Sequence, residues 1–278
     1  MIQPAPTGQS QVRDAVALRG VSVDFSTPQG VLEVVREVDL GVGAGEFLCI
    51  VGPTGCGKST LLNLVAGLLV PSVGSVLIDE TPVTGIHSAV GYLFQADALL
   101  PWRDALGNVA AGLVFRGVPR REAEAEALAW LARVGLAGAA RRYPHQLSGG
   151  MKKRVALAQV LAVNPRILLM DEPFSALDVQ TRAQMENELL RLWAQDRKSV
   201  IFITHDLEEA IALGDRVVVM SAGPASRPVG SHVIDLPRPR EVEEIRMTPR
   251  FLELQRQIWE QLRHEVHAGL TRTGAWTE

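Results

Sequence analysis

The sequence predicts an α/β fold with a mainly parallel sheet, and three observations carry that reading. Short apolar runs, "GEFLCIVG", "RILLMDEP" and "SVIFITHD", alternate with stretches of helical spacing such as "KSTLLNLVAGL" and "TRAQMENELLRLWAQ". A strand buried on both faces reads as such a run, and strand–helix alternation places helices over a parallel sheet. Upstream, "VALRGVSVDF" and "GVLEVVREVDLGV" alternate apolar with polar residues around "STPQG", the pattern of two antiparallel strands joined by a turn. Residues 102–163 are rich in Ala, Leu, Arg and Glu and carry no strong strand signal, which predicts a mostly helical insert.

A chain of 278 residues can bury one large α/β core or two small ones. Its formal charge of −3 argues against nucleic acid held by bulk attraction. The greasiest runs, "LLNLVAGLLV" and "ILLM", stop well short of the roughly 18 apolar residues a bilayer span needs, so the chain reads as soluble or membrane-peripheral. "MIQPAPTGQSQ" has neither a basic start nor an apolar core and does not read as a signal peptide. Residues 1–14 are expected to form a mobile tail and 15–240 the main domain, with its helical subdomain at about 96–163. Residues 241–268 are expected to form a helical extension, in which Phe251, Leu254, Ile258, Leu262 and Val266 share one face, and 269–278 a second mobile tail.

The run Gly52–Thr60, "GPTGCGKST", fits G-x-x-x-x-G-K-[ST] between a strand and a helix, the setting in which that pattern cradles phosphates. Gly52, Thr54, Gly55, Cys56, Gly57 and Thr60 are its candidate phosphate contacts. Lys58 would reach the β and γ oxygens, and the Ser59 hydroxyl would hold Mg2+. By itself the loop says only nucleoside triphosphate, in a kinase, a GTPase or a motor. The lack of an N-K-x-D guanine reader favours ATP. The two cysteines, Cys49 in an apolar strand and Cys56 in the loop, make a poor disulfide and fit a reducing compartment. Phosphate-directed N–H groups around Cys56 are expected to lower its thiol pKa and make it reactive.

"RILLMDEP" delivers Asp171 to the C-terminal end of a strand, the edge where α/β sheets bind ligands, and a carboxylate there can hold Mg2+. Glu172, next in the chain, can polarise an attacking water as general base. "FITHD" ends the next strand with His205, placed to meet a γ-phosphate. In "LSGGMKK", Ser148, Gly149 and Gly150 open a helix whose N–H groups suit an anion, although alone it reads as an ordinary Ser-capped helix.

Taken in order over residues 52–206, the glycine loop, "LSGG", "LLMDEP", "SALD" and "THD" resemble the ATP-binding-cassette (ABC) ATPases. The resemblance implies a P-loop NTPase core with a mainly parallel sheet, an N-terminal antiparallel β-subdomain and a helical subdomain insert. It also implies a head-to-tail dimer with two ATPs sandwiched between protomers. Ser148, Gly149 and Gly150 would then contact the γ-phosphate held on the opposite protomer's Lys58 loop. Gln95, in "YLFQADALLPW", would join Mg2+ and the attacking water to the transporter interface, Asp178 in "SALD" would bridge the protomers, and Phe25 would stack on adenine. Two positions depart from the common pattern: Met151 stands where many members have Gln, and Lys153 lies in "MKKR" where "RQR" is frequent.

Over about residues 15–265, "LLPWRDALGNV", "MDEPFSALDVQTR", "THDLEEAIALGDRVVVM" and "LPRPR" resemble the importer ATPases for nitrate, sulfonates, taurine and related small anions. That resemblance implies an ATPase on the cytoplasmic membrane face, a dimer partner, a separate permease pair and a solute-binding protein, with no nucleic acid. Three rivals differ from it. A DNA-repair or translation ABC protein usually carries coiled-coil, zinc or tandem-cassette additions, and none is visible here. An exporter ATPase for lipid or drug fits "LPWRDALGNV" less well, and a plain P-loop kinase has no use for "LSGG" or "SALD".

Overall fold

A computed structural model describes residues 14–28, 30–96 and 98–272. β1 (Asp14–Thr27) and β2 (Gly30–Gly43) pair antiparallel about the anticipated turn, Phe25 lying opposite Leu32. β3 (Phe47–Val51) leads through the glycine loop into α1 (Lys58–Val65). β4 (Val73–Ile78) and β5 (Thr81–Pro82) complete the antiparallel sheet in the order β2-β1-β4-β5. β6 (Val90–Leu93) precedes the helical insert of α2 (Ala105–Phe115), α3 (Arg120–Arg133) and α4 (Gly149–Ala162). Then follow β7 (Ile167–Asp171), α5 (Val179–Asp196), β8 (Ser199–Ile203), α6 (Leu207–Leu213) and β9 (Arg216–Met220). β10 (Pro228–Val233), α7 (Val242–Ile245) and α8 (Pro249–Arg272) end the described chain.

The second sheet has the order β10-β9-β3-β8-β7-β6, parallel throughout except for the edge strand β10. Its central strands are covered on both sides, which explains their unbroken apolar runs. Successive side chains alternate between two cores. Phe47, Cys49 and Val51 of β3 join Val200 and Phe202 of β8 on the side of α4, α5, α6 and α8. Leu48 and Ile50 join Ile201 and Ile203 against α1 and the antiparallel sheet. On the first side Phe47 meets Trp193 edge-on at 5.7 Å and Phe202 at 5.9 Å, and Phe174 meets Phe202 at 6.0 Å. Such aromatic pairs add about 0.5–1.5 kcal/mol each beyond their area burial.

Side-chain caps that satisfy otherwise orphaned N–H groups begin several helices: Asp104 for α2, Ser148 for α4, Asp178 for α5, Asp206 for α6 and Thr248 for α8. Several boundaries differ from the sequence reading. β1 begins at Asp14, one residue inside the segment expected to be a tail, because Asp14 already pairs with Gly43. α8 continues to Arg272, past the expected end at 268. Residues 1–13 and 273–278 of the two expected tails lie outside the described residues. The anticipated face of α8 is buried: Phe251, Leu254, Ile258 and Leu262 are 5% exposed or less, and Val266 packs beside them. "LPRPR" is an anchor. Arg238 covers the Trp193 ring at 4.2 Å and pairs with Asp215 at 2.8 Å. The buried Arg240 donates to the carbonyls of Ala212 at 3.0 Å, Gly214 at 2.7 Å and Leu236 at 3.0 Å, closing the C-terminal end of α6.

α6 itself carries a buried carboxyl group, that of Glu209. Burial pushes the Glu209 carboxyl from 4.5 up to about 8, against a hydrogen bond from Thr204 and with help from the charges of Glu186 and Asp206. An acid whose folded pKa is raised is stabilised in its neutral form. Its contribution is complete below the unfolded pKa and is lost as pH climbs toward the folded value. Wild-type Tm is therefore expected to fall between about pH 5 and about pH 8, and Glu209→Gln, neutral throughout, to flatten that decline in scanning calorimetry. Parallel Tm–pH curves for the two proteins would remove Glu209 as the cause.

Candidate active site

Because β3, β7 and β8 run parallel, their C-terminal ends bring three loops to one edge. The loop after β3 turns through Gly55 and Gly57, at φ 78° and 84°, conformations that favour glycine. A Cβ on Gly57 would meet Val35 Cγ1 at 2.7 Å, so the loop also packs too tightly for any side chain there. Lys58, 7% exposed, folds back so that Nζ donates to the carbonyls of Gly52 at 2.8 Å and Pro53 at 3.0 Å. The cation thus lies inside the curl of the loop, held by acceptors that a phosphate oxygen can replace.

Asp171, at the end of β7, is half-buried. Desolvation raises its carboxyl above the usual range, while hydrogen bonds from the Ser59 hydroxyl and the Tyr92 phenol and the charge of Lys58 pull it back. Next to it, Glu172 sits at φ 42°, a strained conformation for a non-glycine residue, with its N–H held by the Ile203 carbonyl at 2.9 Å. This backbone turn aims the Glu172 carboxylate across the strand ends, where Oε2 lies 3.1 Å from His205 Nδ1. A cavity of about 650 Å3 opens beside the loop, lined by Gly52, Thr54 and Gly55, by His205, and by Trp259, Leu262 and Val266 of α8.

Other expected site residues lie elsewhere. Ser148 is exposed and accepts from Met151 N at 3.3 Å; among the described residues lining the cavity none comes from 148–150. Gly150 abuts α5, where a Cβ would come within 2.8 Å of Thr181 Cγ2. Asp178, also exposed, accepts from Thr181 N at 3.0 Å, a bond that lowers its carboxyl below the ordinary value. Phe25 is 40% exposed on β1; its partner Leu32, not Phe25, lines the cavity. Gln95 is exposed after β6, and its carbonyl accepts from Lys153 Nζ at 2.6 Å.

Residues 35–175 match the family described as ABC transporter. An uncharacterised ABC transporter ATP-binding protein of Methanocaldococcus jannaschii is 46% identical over 235 residues, 84% of this chain and 86% of that one. The chain belongs to the ABC transporter family. The taurine import ATP-binding protein of Pseudomonas entomophila is 46% identical over 229 residues, 81% of this chain and 88% of that one. Among solved structures, a dimeric ATP-binding cassette in a post-hydrolysis state bound to ADP and Pi matches with TM-score 0.70 and 32% identity, covering 80% of this chain and 100% of that one. As an ABC cassette the chain is an ATP-binding ATPase.

Within this cassette the departures from the family pattern have physical accounts. Lys153 is 4% exposed and spans from α4 to the Gln95 backbone, tethering the two. Met151 packs against the core of the helical insert. Tyr92, also missed, places its phenol between Asp171 and Asn63 Oδ1, the latter at 3.3 Å; burial and the Asp171 charge push its pKa well above the usual range. Its signal is faint, since β6 is four residues long and contains a glycine.

One expectation is overturned. Cys56 is fully buried, and desolvation raises its thiol pKa despite the nearby Lys58, whose Nζ lies 3.8 Å from Sγ. The Cys56 N–H turns back onto the Pro53 carbonyl at 3.3 Å, and Sγ belongs to the core beneath α1 together with Ile50, Leu61 and Met220. Burial likewise raises Cys49. Both thiols are expected to resist iodoacetamide in the native protein and to react quickly once it is denatured, as read by mass spectrometry after a timed pulse. Rapid native-state labelling of Cys56 would contradict the burial argument.

Proposed function

We propose that this ABC ATPase powers an importer for a small anionic solute of the nitrate, sulfonate or taurine class, with each hydrolytic site built from two protomers. The observation that carries the hydrolytic part is the meeting of Glu172 with His205 at 3.1 Å beside the Lys58 loop and Asp171. Glu172 is the base that takes a proton from the attacking water. His205 fixes the orientation of that carboxylate through Nδ1 and meets the γ-phosphate. Lys58 exchanges its carbonyl partners for phosphate oxygens, and the N–H groups of Gly52, Thr54, Gly55, Cys56, Gly57 and Thr60 cradle the rest.

Mg2+ fits Ser59 and Asp171, whose hydroxyl and carboxylate already converge and are the hard oxygen donors it prefers; Gln95 is a further candidate. When bound, the ion neutralises charge developing on the phosphates. Tyr92 keeps Asp171 in place, and Phe25 would meet adenine.

The importer reading draws on the taurine import relatives. Ser148 and Gly149, exposed on the start of α4, with Gly150 beside them, suit the γ-phosphate of a partner's nucleotide, with Asp178 at the junction. Among the described residues no helix is long and apolar enough to cross a membrane, so the reading requires a separate permease on whose cytoplasmic face this subunit sits, and a solute-binding protein. The groove for the permease is the cavity of about 420 Å3 at the start of α2, where Trp102, 70% exposed, joins Arg103, Arg120 and Arg141. An exporter would lack the solute-binding protein, and copurification with a multi-span permease followed by uptake assays separates the two.

Glu172→Gln preserves shape while removing the base. It is expected to bind ATP normally, hydrolyse it at least about 100-fold more slowly, and accumulate as a dimer in light scattering. Near-normal turnover would exclude Glu172. For the shared site, Lys58→Ala and Ser148→Arg are each expected to be inactive alone. Mixed, they form a heterodimer with one intact composite site, recovering at most about half the wild-type rate if sites act independently. Heterodimers that form without recovering hydrolysis count against the two-protomer arrangement.

A further inference from the structure

The loop carrying His205 and the loop carrying Asp178 are joined by one side chain. Arg182, on the first turn of α5, sends Nη1 to Asp206 Oδ2 at 3.1 Å and Nη2 to the Leu177 carbonyl at 3.3 Å. Its Nε is buried and has no hydrogen-bond partner among the described residues, so the two Nη contacts fix the orientation of the guanidinium head. Asp206 has no freedom of its own to adjust. Oδ1 caps α6 by accepting from Glu208 N at 2.9 Å and Glu209 N at 3.2 Å, and its backbone N–H is held by Thr204 Oγ1 at 2.9 Å. On the other side, Ser175 Oγ donates to the Glu172 carbonyl at 3.0 Å, and Leu177 N donates to Phe174 O at 3.1 Å, so 172–178 forms a compact pair of turns. The links close a ring: Glu172 to His205, His205 to its neighbour Asp206, Asp206 to Arg182, Arg182 to Leu177, and back along the chain to Glu172.

We propose that Arg182 is a positioning residue for ATP hydrolysis, its forked head holding the Glu172 and His205 loops in register by bridging Asp206 to the segment that ends at Asp178. The proposal rests on the reading of Glu172 and His205 as the hydrolytic pair. Charge balance is the competing role, since Arg182 and Arg246 face the carboxylates of Glu186, Glu209 and Asp206. The two roles separate chemically. A lysine supplies the same charge but a single ammonium, which does not reproduce a planar fork reaching two fixed acceptors.

The test uses the purified full-length chain. Arg182→Lys is expected to keep its Tm and its ATP affinity within about twofold of wild type, while kcat falls about tenfold with little change in KM. Asp206→Asn, which retains the α6 cap through one oxygen and removes the charged acceptor, is expected to lower kcat similarly, and the double variant to be no slower than either single. His205→Ala serves as the reference, and adding Arg182→Lys to it is expected to cost nothing further. A wild-type kcat for Arg182→Lys, or equal losses in kcat, affinity and Tm, would overturn the proposal. So would a further drop in the His205→Ala background. A His205→Ala variant as active as wild type would sink the hydrolytic pair and this proposal with it, whereas a slow His205→Ala beside an unimpaired Arg182→Lys sinks the proposal alone.

Discussion

The sheet that is buried on both faces governs this molecule. Its interior strands have no water to satisfy their backbones, so they pair with neighbours on both sides, and parallel pairing sends every strand end the same way. One edge therefore collects the exits of β3, β7 and β8, and those exits are where backbone polar groups and charged side chains escape the core. Lys58, Asp171, Glu172 and His205 come from three segments far apart in sequence. They converge because Leu48, Ile50, Leu169, Ile201 and Ile203 pack into a common layer beneath them. The chemistry is an edge effect of the packing.

Much of this was legible in the sequence because its determinants are local. The glycine loop, the Asp171–Glu172 pair and the antiparallel β1–β2 hairpin each rest on short spacing rules, and the face of α8 follows from helical periodicity. Tertiary context decides the remainder. β6 pairs with β7 over four residues that contain no alternation worth reading, and β10 begins at a proline in a segment rich in turn formers, where only its edge position tolerates it. Lys153 is a buried tether, which its place in "MKKR" does not disclose.

Cys56 shows how two sound principles compete at one residue. A helix start lowers a thiol pKa, whereas burial in apolar surroundings raises it, and Cys56 meets both conditions. With Sγ directed into the core, desolvation outweighs the nearby cation. Direction is the quantity a linear pattern does not encode. The same holds for Arg182, whose place after "SALD" discloses a helix start but not that the guanidinium spans two loops.

The wall that α8 contributes beside the glycine loop bears on chemical selectivity. Loop residues such as Gly52 and Thr54 belong to the segment matched by the family as a whole, whereas Trp259, Leu262 and Val266 lie beyond residue 175, where that match ends. A small molecule seated between them would touch the glycine loop together with an indole and two aliphatic side chains from outside the matched segment. Substitutions at those three positions would change the affinity of such a compound while leaving the matched segment untouched.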